Sequence, residues 1–151
     1  MTSVSDRDIQ VGLIGFGLAG SVFHAPLIST TPGLTLSAIV TGSPERVEQA
    51  RVGHPDALVV ATPEELWDSG NIDVIVIATP NTSHAPLALA AISHGVAVVV
   101  DKPLAISAEQ ATSVIDAADA AGVLLTVFQN RRWDGDFLTV KALVDSGALG
   151  R

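Results

Sequence analysis

The residues Gly15-Phe16-Gly17-Leu18-Ala19-Gly20 follow the apolar run Ile9–Ile14 directly. No other feature restricts the folding of this chain so strongly. A short apolar run, a glycine turn and a helix start are the local arrangement that sets a pyrophosphate on a helix N-terminus. Gly15 permits the turn, Gly17 lets backbone approach phosphate, and Gly20 lets the helix pack close to the strand. The first N–H groups of the helix and its dipole then face the anion. The spacing alone is common. The strand-turn-helix context is what makes it read as a nucleotide site.

The rest of the chain repeats that unit. Ile9–Ile14, Leu36–Thr41, Val74–Ala78, Val96–Val100 and Leu124–Phe128 are apolar, β-rich runs, and Leu58-Val59-Val60 is a weaker sixth. Segments of helical or mixed character separate them, so the pattern predicts βαβ units and a mostly parallel sheet. Aromatic residues are 4% of the chain, and Ala, Val, Ile and Leu dominate. Strands buried on both faces have that profile. The length of 151 residues suits one domain, 1–151, with a real core. Ser43-Pro44 reads as a helix cap with proline at the first helical position. Thr62-Pro63-Glu64-Glu65 and Ser107-Ala108-Glu109-Gln110 read as capping boxes, and the second opens a helix that stops near Gly122. A last helix is expected from about Asp136 to Asp145. Pro26 falls inside the first helix and should kink it. The adjacent His24 either packs on that bent helix or faces the ligand cleft.

Several function classes are disfavoured. A formal charge of −8 argues against nucleic acid as a partner. No apolar run reaches membrane-spanning length, and the start of the chain lacks a signal-peptide pattern, so a cytoplasmic setting is expected. Cysteine is absent, which removes thiolate metal sites, and His24, His54, His84 and His94 lack ligand spacing. No metal is expected.

In an open parallel sheet, ligands bind beyond the carboxyl ends of the strands. The segments there are polar: the glycine turn, Thr41–Arg46, Thr79–His84, Asp101-Lys102-Pro103 and Gln129–Asp134. Thr41 stands where an NAD-specific site carries a carboxylate for the ribose 2′-hydroxyl. Thr41, Ser43 and Arg46 can instead donate to a 2′-phosphate, which favours NADP, with NAD as the alternative. The competing reading of Arg46 is a solvated helix residue paired with neighbouring acids. Lys102 is the candidate catalytic residue, placed to hydrogen-bond a substrate hydroxyl and favour its deprotonation during hydride loss. The competing reading is a surface lysine paired with Asp101.

Taken together, Gly15–Gly20, Thr79-Pro80-Asn81 with His84, Asp101-Lys102-Pro103 and Asn130-Arg131-Arg132 resemble the N-terminal domain of the Gfo/Idh/MocA oxidoreductases, over essentially the whole chain. Phe23–Ile28 and Asn130–Leu138 resemble a subgroup that includes NADP-dependent scyllo-inositol dehydrogenases. The resemblance implies a Rossmann-type doubly wound sheet and makes Lys102 the family's catalytic lysine. It implies that Thr79, Pro80, Asn81, His84 and Asp101 line the nicotinamide half of the cofactor site, with Asn130 and Arg131 or Arg132 contributing; Ala78, just before Thr79, is a further candidate for cofactor contact. The family has Glu where this chain has Asp101, one methylene shorter.

The family continues into a second α/β domain that supplies a further acid/base and most of the substrate pocket. This sequence ends at Arg151, where that domain is expected to begin. The expectation is therefore the cofactor domain of a dehydrogenase acting on a cyclic polyol or sugar, with little turnover by itself. A non-catalytic dinucleotide-binding or sensor module is the alternative. The oligomeric state is left open.

Overall fold

The computed structural model describes residues 7–67 and 71–150. Met1–Asp6, read above as lacking a signal-peptide pattern, and the terminal Arg151 lie outside them. Six strands form one sheet: β1 (Ile9–Ile14), β2 (Leu34–Val40), β3 (Leu58–Val60), β4 (Val74–Ile77), β5 (Ala97–Asp101) and β6 (Leu125–Phe128). Their order is β3-β2-β1-β4-β5-β6, and every neighbouring pair is parallel. The chain winds outward from β1 to β3, returns to the centre, and winds outward again from β4 to β6. This is a Rossmann-type α/β fold, and its topological switch point lies between β1 and β4.

Alternation along the strands divides the core into two layers. On one face, Ile14, Ala38, Val40, Ile75, Ile77, Val98 and Val100 pack against α3 (Pro63–Trp67), α4 (His84–Ser93) and α5 (Ala108–Ala121). On the other, Val11, Leu13, Leu36, Ile39 and Val76 pack against α1 (Ala25–Thr30) and α2 (Pro44–Gly53). The alanines Ala85, Ala88 and Ala91 give α4 a flat, buried stripe that lies close to the sheet. The α1/α2 layer does not reach β6. There the sheet leaves an apolar groove of about 950 Å³, lined by Phe23, Leu27, Val99, Phe128 and Trp133. Beyond it, α6 (Gly135–Asp145) is exposed along its whole length, and Trp133 is 80% exposed.

Several local expectations are corrected. The strand bounds differ by one or two residues: β2 begins at Leu34 and ends at Val40, and β5 runs on to Asp101. Asp101 is held in the ladder opposite Phe128. The first helix does not simply kink at Pro26. Residues Ala19–His24 form a π-helical segment that runs into α1, with the Ala25 N–H donating to Gly20 O five residues back. Pro26 has no N–H to continue the ordinary ladder, and the wider π turn carries the mismatch. Ser43 sits at the N-cap of α2, but its side chain makes no capping bond. In the Thr62 box it is Glu65 that reaches back, accepting from the Thr62 N–H at 3.0 Å. The Ser107 side chain accepts from the Gln110 N–H, and Gly122 ends α5 in a left-handed conformation.

The glycine turn fixes where the first helix starts. Gly15 has φ +100°, and a Cβ there would lie 2.5 Å from Ala78 O. At Gly20 a Cβ would lie 2.0 Å from Gly15 O. Neither backbone oxygen can swing aside as a flexible side chain would. Gly20→Ala is therefore expected to lower stability by about 1–3 kcal/mol, as overpacking does elsewhere. Urea unfolding would measure it, with Gly53→Ala, where nothing lies within 4 Å, as the control.

Candidate functional site

The polar strand ends converge on one edge of the sheet and line two adjoining cavities. The first, about 600 Å³, lies at the ends of β1, β2 and β4, across the switch point. Its floor is the glycine turn, with Gly15, Phe16, Gly17 and Ala19 among the lining residues. Gly17 differs from the other two motif glycines. A Cβ there would meet only Arg46 Nη1, at 3.8 Å, so its backbone faces open space. One wall holds Thr41, Ser43 and Arg46, and the other holds Ala78, Thr79 and Pro80. Thr41 is buried and its N–H donates to Val60 O, which ties the end of β2 to β3. No aspartate or glutamate is among the residues lining this cavity. Among the described residues, Arg46 has no salt-bridge partner, so the pairing with neighbouring acids is not formed.

The second cavity, about 370 Å³, lies beyond β5 and β6 against the start of the first helix. Leu18, Ala19, His24, Asp101, Lys102, Asn130 and Arg131 line it, together with Phe23, Phe128 and Gln129. Lys102 does not pair with Asp101 through its ammonium. Instead Asp101 Oδ1 accepts the backbone N–H of Lys102 at 2.8 Å, which fixes the loop and leaves the lysine side chain exposed. Arg131 is bound to Asp134 at 2.7 Å, and that partner raises its pKa. Arg132 points elsewhere: it lines the apolar groove beside Trp133.

Two residues behave differently from what their sequence positions suggest. His84 is 1% exposed and lines neither cavity. Its Nδ1 lies 2.7 Å from Pro103 O and its Nε2 2.8 Å from Thr79 O. It is therefore a clamp between the loop after β4 and the loop carrying Lys102. Asn81 is exposed at the start of a short 3₁₀ turn, Asn81–Ser83. Ser83 braces that turn: its hydroxyl donates to Pro80 O and pairs with the Thr79 hydroxyl, each at 2.7 Å. His24 is buried beside Asp101 and Lys102. Burial pushes its pKa below the ordinary histidine value, against the pull of the Asp101 carboxylate.

Sequence reasoning placed Gln129 only at the head of the Gln129–Asp134 segment and did not single out Phe128, the last residue of β6. The signal available was position alone, at the end of β6. Pro63, read in the sequence only as part of a helix start, and Leu87 also line the first cavity.

Replacing His84 by leucine keeps side-chain bulk but removes the ring nitrogens that face Thr79 O and Pro103 O. An unsatisfied buried polar group costs about 1–3 kcal/mol, and a loss of that size is expected on unfolding in urea. Faster amide hydrogen exchange across residues 79–84 and 101–105 should accompany it.

The arrangement agrees with comparisons to known proteins. A family described as an oxidoreductase family with an NAD-binding Rossmann fold, Gfo/Idh/MocA, matches residues 9–129. The chain is 48% identical over 143 residues to an uncharacterized oxidoreductase of Escherichia coli K12, YdgJ, covering 95% of this chain and 40% of that protein. It is 42% identical over 141 residues to the Bacillus subtilis scyllo-inositol 2-dehydrogenase (NADP(+)) IolW, covering 93% and 38%. The crystal structure of an NAD-binding protein from Listeria innocua superposes with a TM-score of 0.88 at 30% identity, covering 96% of this chain and 42% of that one. The chain thus spans about two-fifths of the length of the relatives it matches.

Proposed function

The chain belongs to the Gfo/Idh/MocA oxidoreductase family, and from that premise we propose that it is the NADP(H)-binding part of a dehydrogenase acting on a cyclic polyol or sugar. The observation that carries the cofactor reading is the first cavity. A glycine turn opens at Gly17, and no carboxylate lines the wall at the end of β2. Gly15, Gly17 and the start of the first helix, from Leu18 to Gly20, hold a pyrophosphate through backbone N–H groups. Phe16 packs beneath that turn, being 5% exposed. Thr41 and Ser43 donate hydroxyls to a 2′-phosphate, and Arg46 adds a charge-assisted donor. Thr79, Pro80, Asn81, Asp101 and Asn130 frame the nicotinamide half, and Arg131 borders it.

The bound cofactor supplies a carbon that accepts or donates hydride. The chain's own part is to place a hydroxyl beside that carbon and stabilise its oxygen as charge develops there. Lys102 does this through its ammonium, hydrogen-bonding the reacting oxygen and stabilising charge that develops there. Asp101 fixes the Lys102 backbone, and His84 fixes the neighbouring Pro103 carbonyl. The polyol or sugar reading is supported by the likeness to the B. subtilis enzyme, which is named for scyllo-inositol. Lys102 is exposed, so this chain alone leaves the reacting groups open to water. We place the protein that completes the pocket over the bare groove beside β6, and expect little turnover without it.

Calorimetry with NADPH and NADH tests the cofactor reading. The unmodified chain is expected to bind NADPH more tightly. Thr41→Asp should weaken NADPH binding about tenfold or more by charge repulsion, and so reverse the preference. Gly17→Val should abolish binding of both while leaving the chain folded. Tighter NADH binding by the unmodified chain would refute the preference. In an enzyme of the relatives' full length, with scyllo-inositol and related polyols, Lys102→Ala is expected to lower kcat about 10²–10⁴-fold with little change in cofactor affinity.

A further inference from the structure

His24 ends the π-helical segment, and that register turns its ring inward over the end of β6. The residue is 5% exposed, and its ring packs on Phe128 with centroids 4.6 Å apart. Among the described residues its Nε2 is a buried side-chain nitrogen with no hydrogen-bond partner. Buried polar atoms are normally satisfied, so this one asks for an explanation. Burial also lowers the pKa of the ring and so favours its neutral form, against the pull of Asp101, and a neutral imidazole carries one N–H and one acceptor nitrogen.

The same cavity holds a complementary group. Lys102 lines it, and its ammonium has no ion pair or hydrogen bond among the described residues. The other cation there, Arg131, is already bound to Asp134. The Asp101 carboxylate faces His24 from the end of β5, and one of its oxygens already accepts the Lys102 backbone N–H. Gln129 and Asn130 carry amides on shorter stems. Lys102 has a flexible four-carbon stem and three donors.

We propose that His24 Nε2 accepts a hydrogen bond from the Lys102 ammonium and so holds that group in the cleft, which makes His24 a positioning residue for Lys102. The ring must then carry its proton on Nδ1. Protonation of the second nitrogen at acid pH sets two cations against each other and releases Lys102. The groups around the ring are Asp101 at the end of β5, Lys102 in the loop that follows it and Phe128 at the end of β6, with Arg131 also lining the cavity. The consequence for catalysis rests on the proposed function. The contact does not, because it joins two residues of this chain and needs no nucleotide.

The test is nuclear magnetic resonance on the nucleotide-free chain, labelled with ¹⁵N at histidine and lysine. The expected result is an Nδ1–H tautomer at His24, with an Nε2 signal displaced to a hydrogen-bonded position and returned to the free position by Lys102→Met. A Lys102 ammonium signal protected from water exchange should appear in the unmodified chain. It should persist in His24→Gln, whose amide oxygen can accept, and be lost in His24→Phe. A merely structural role for the ring predicts no change of protection in His24→Phe. An unchanged Nε2 signal in Lys102→Met, an Nε2–H tautomer, or no protected ammonium in the unmodified chain would each overturn the proposal. Lys102 is exposed, so the methionine variant decides the question even where a His24 variant fails to fold. A chain that binds neither NADPH nor NADH would overturn the proposed function while this contact still stands or falls on its own signals.

Discussion

The approach of three backbone segments at the glycine turn governs the rest of the structure. Gly20 packs against the Gly15 carbonyl, and Gly15 packs against the Ala78 carbonyl at the end of β4. The first contact brings the helix down onto β1. The second closes β1 onto the strand across the switch point. With side chains at these positions the helix start would be pushed off the sheet edge, and the cavity floor would lose its shape. Gly17, between them, is not needed for packing, which leaves it free to meet a ligand. One short motif thus divides its glycines between building the junction and presenting it.

How much of this was legible in the sequence follows from how local each cause is. The strands were legible because burial on both faces forces continuous apolar runs such as Val74–Ile77 and Ala97–Val100. Their ends were less so, since a strand stops where its partner stops: Asp101 belongs to β5 because Phe128 lies opposite. The Ser107 cap and the left-handed Gly122 depend only on neighbours, and both formed as expected. The π-helical segment was not legible. Pro26 announces a missing N–H, but whether the chain bends or widens depends on what packs beneath it.

The site residues divide in the same way. Strand-end position was enough to bring Thr41, Thr79, Asp101, Lys102 and Asn130 to one edge, because the topology sends every parallel strand there. It did not predict what each side chain touches. His84 looks like a cleft histidine until its partners are known, and those are carbonyls five and nineteen residues away. Arg131 and Arg132 are adjacent yet turn to different cavities. Side-chain direction at a loop depends on tertiary neighbours that spacing does not encode.

The apolar groove and the exposed Lys102 belong to one physical argument. An ammonium in open water exchanges its hydrogen bonds with solvent, so a bound hydroxyl gains little from it. The same contact strengthens when water is excluded, because the local dielectric falls. Phe23, Leu27, Val99, Phe128 and Trp133 form an apolar surface next to the cavity that holds Lys102. Soluble proteins rarely leave such a patch bare without use. Protein packed on that surface would bury Trp133 and dry the Lys102 cavity in the same step. Stability and catalytic competence would then be coupled at β6, while the glycine turn, which does not line that groove, would keep its nucleotide-binding geometry unchanged.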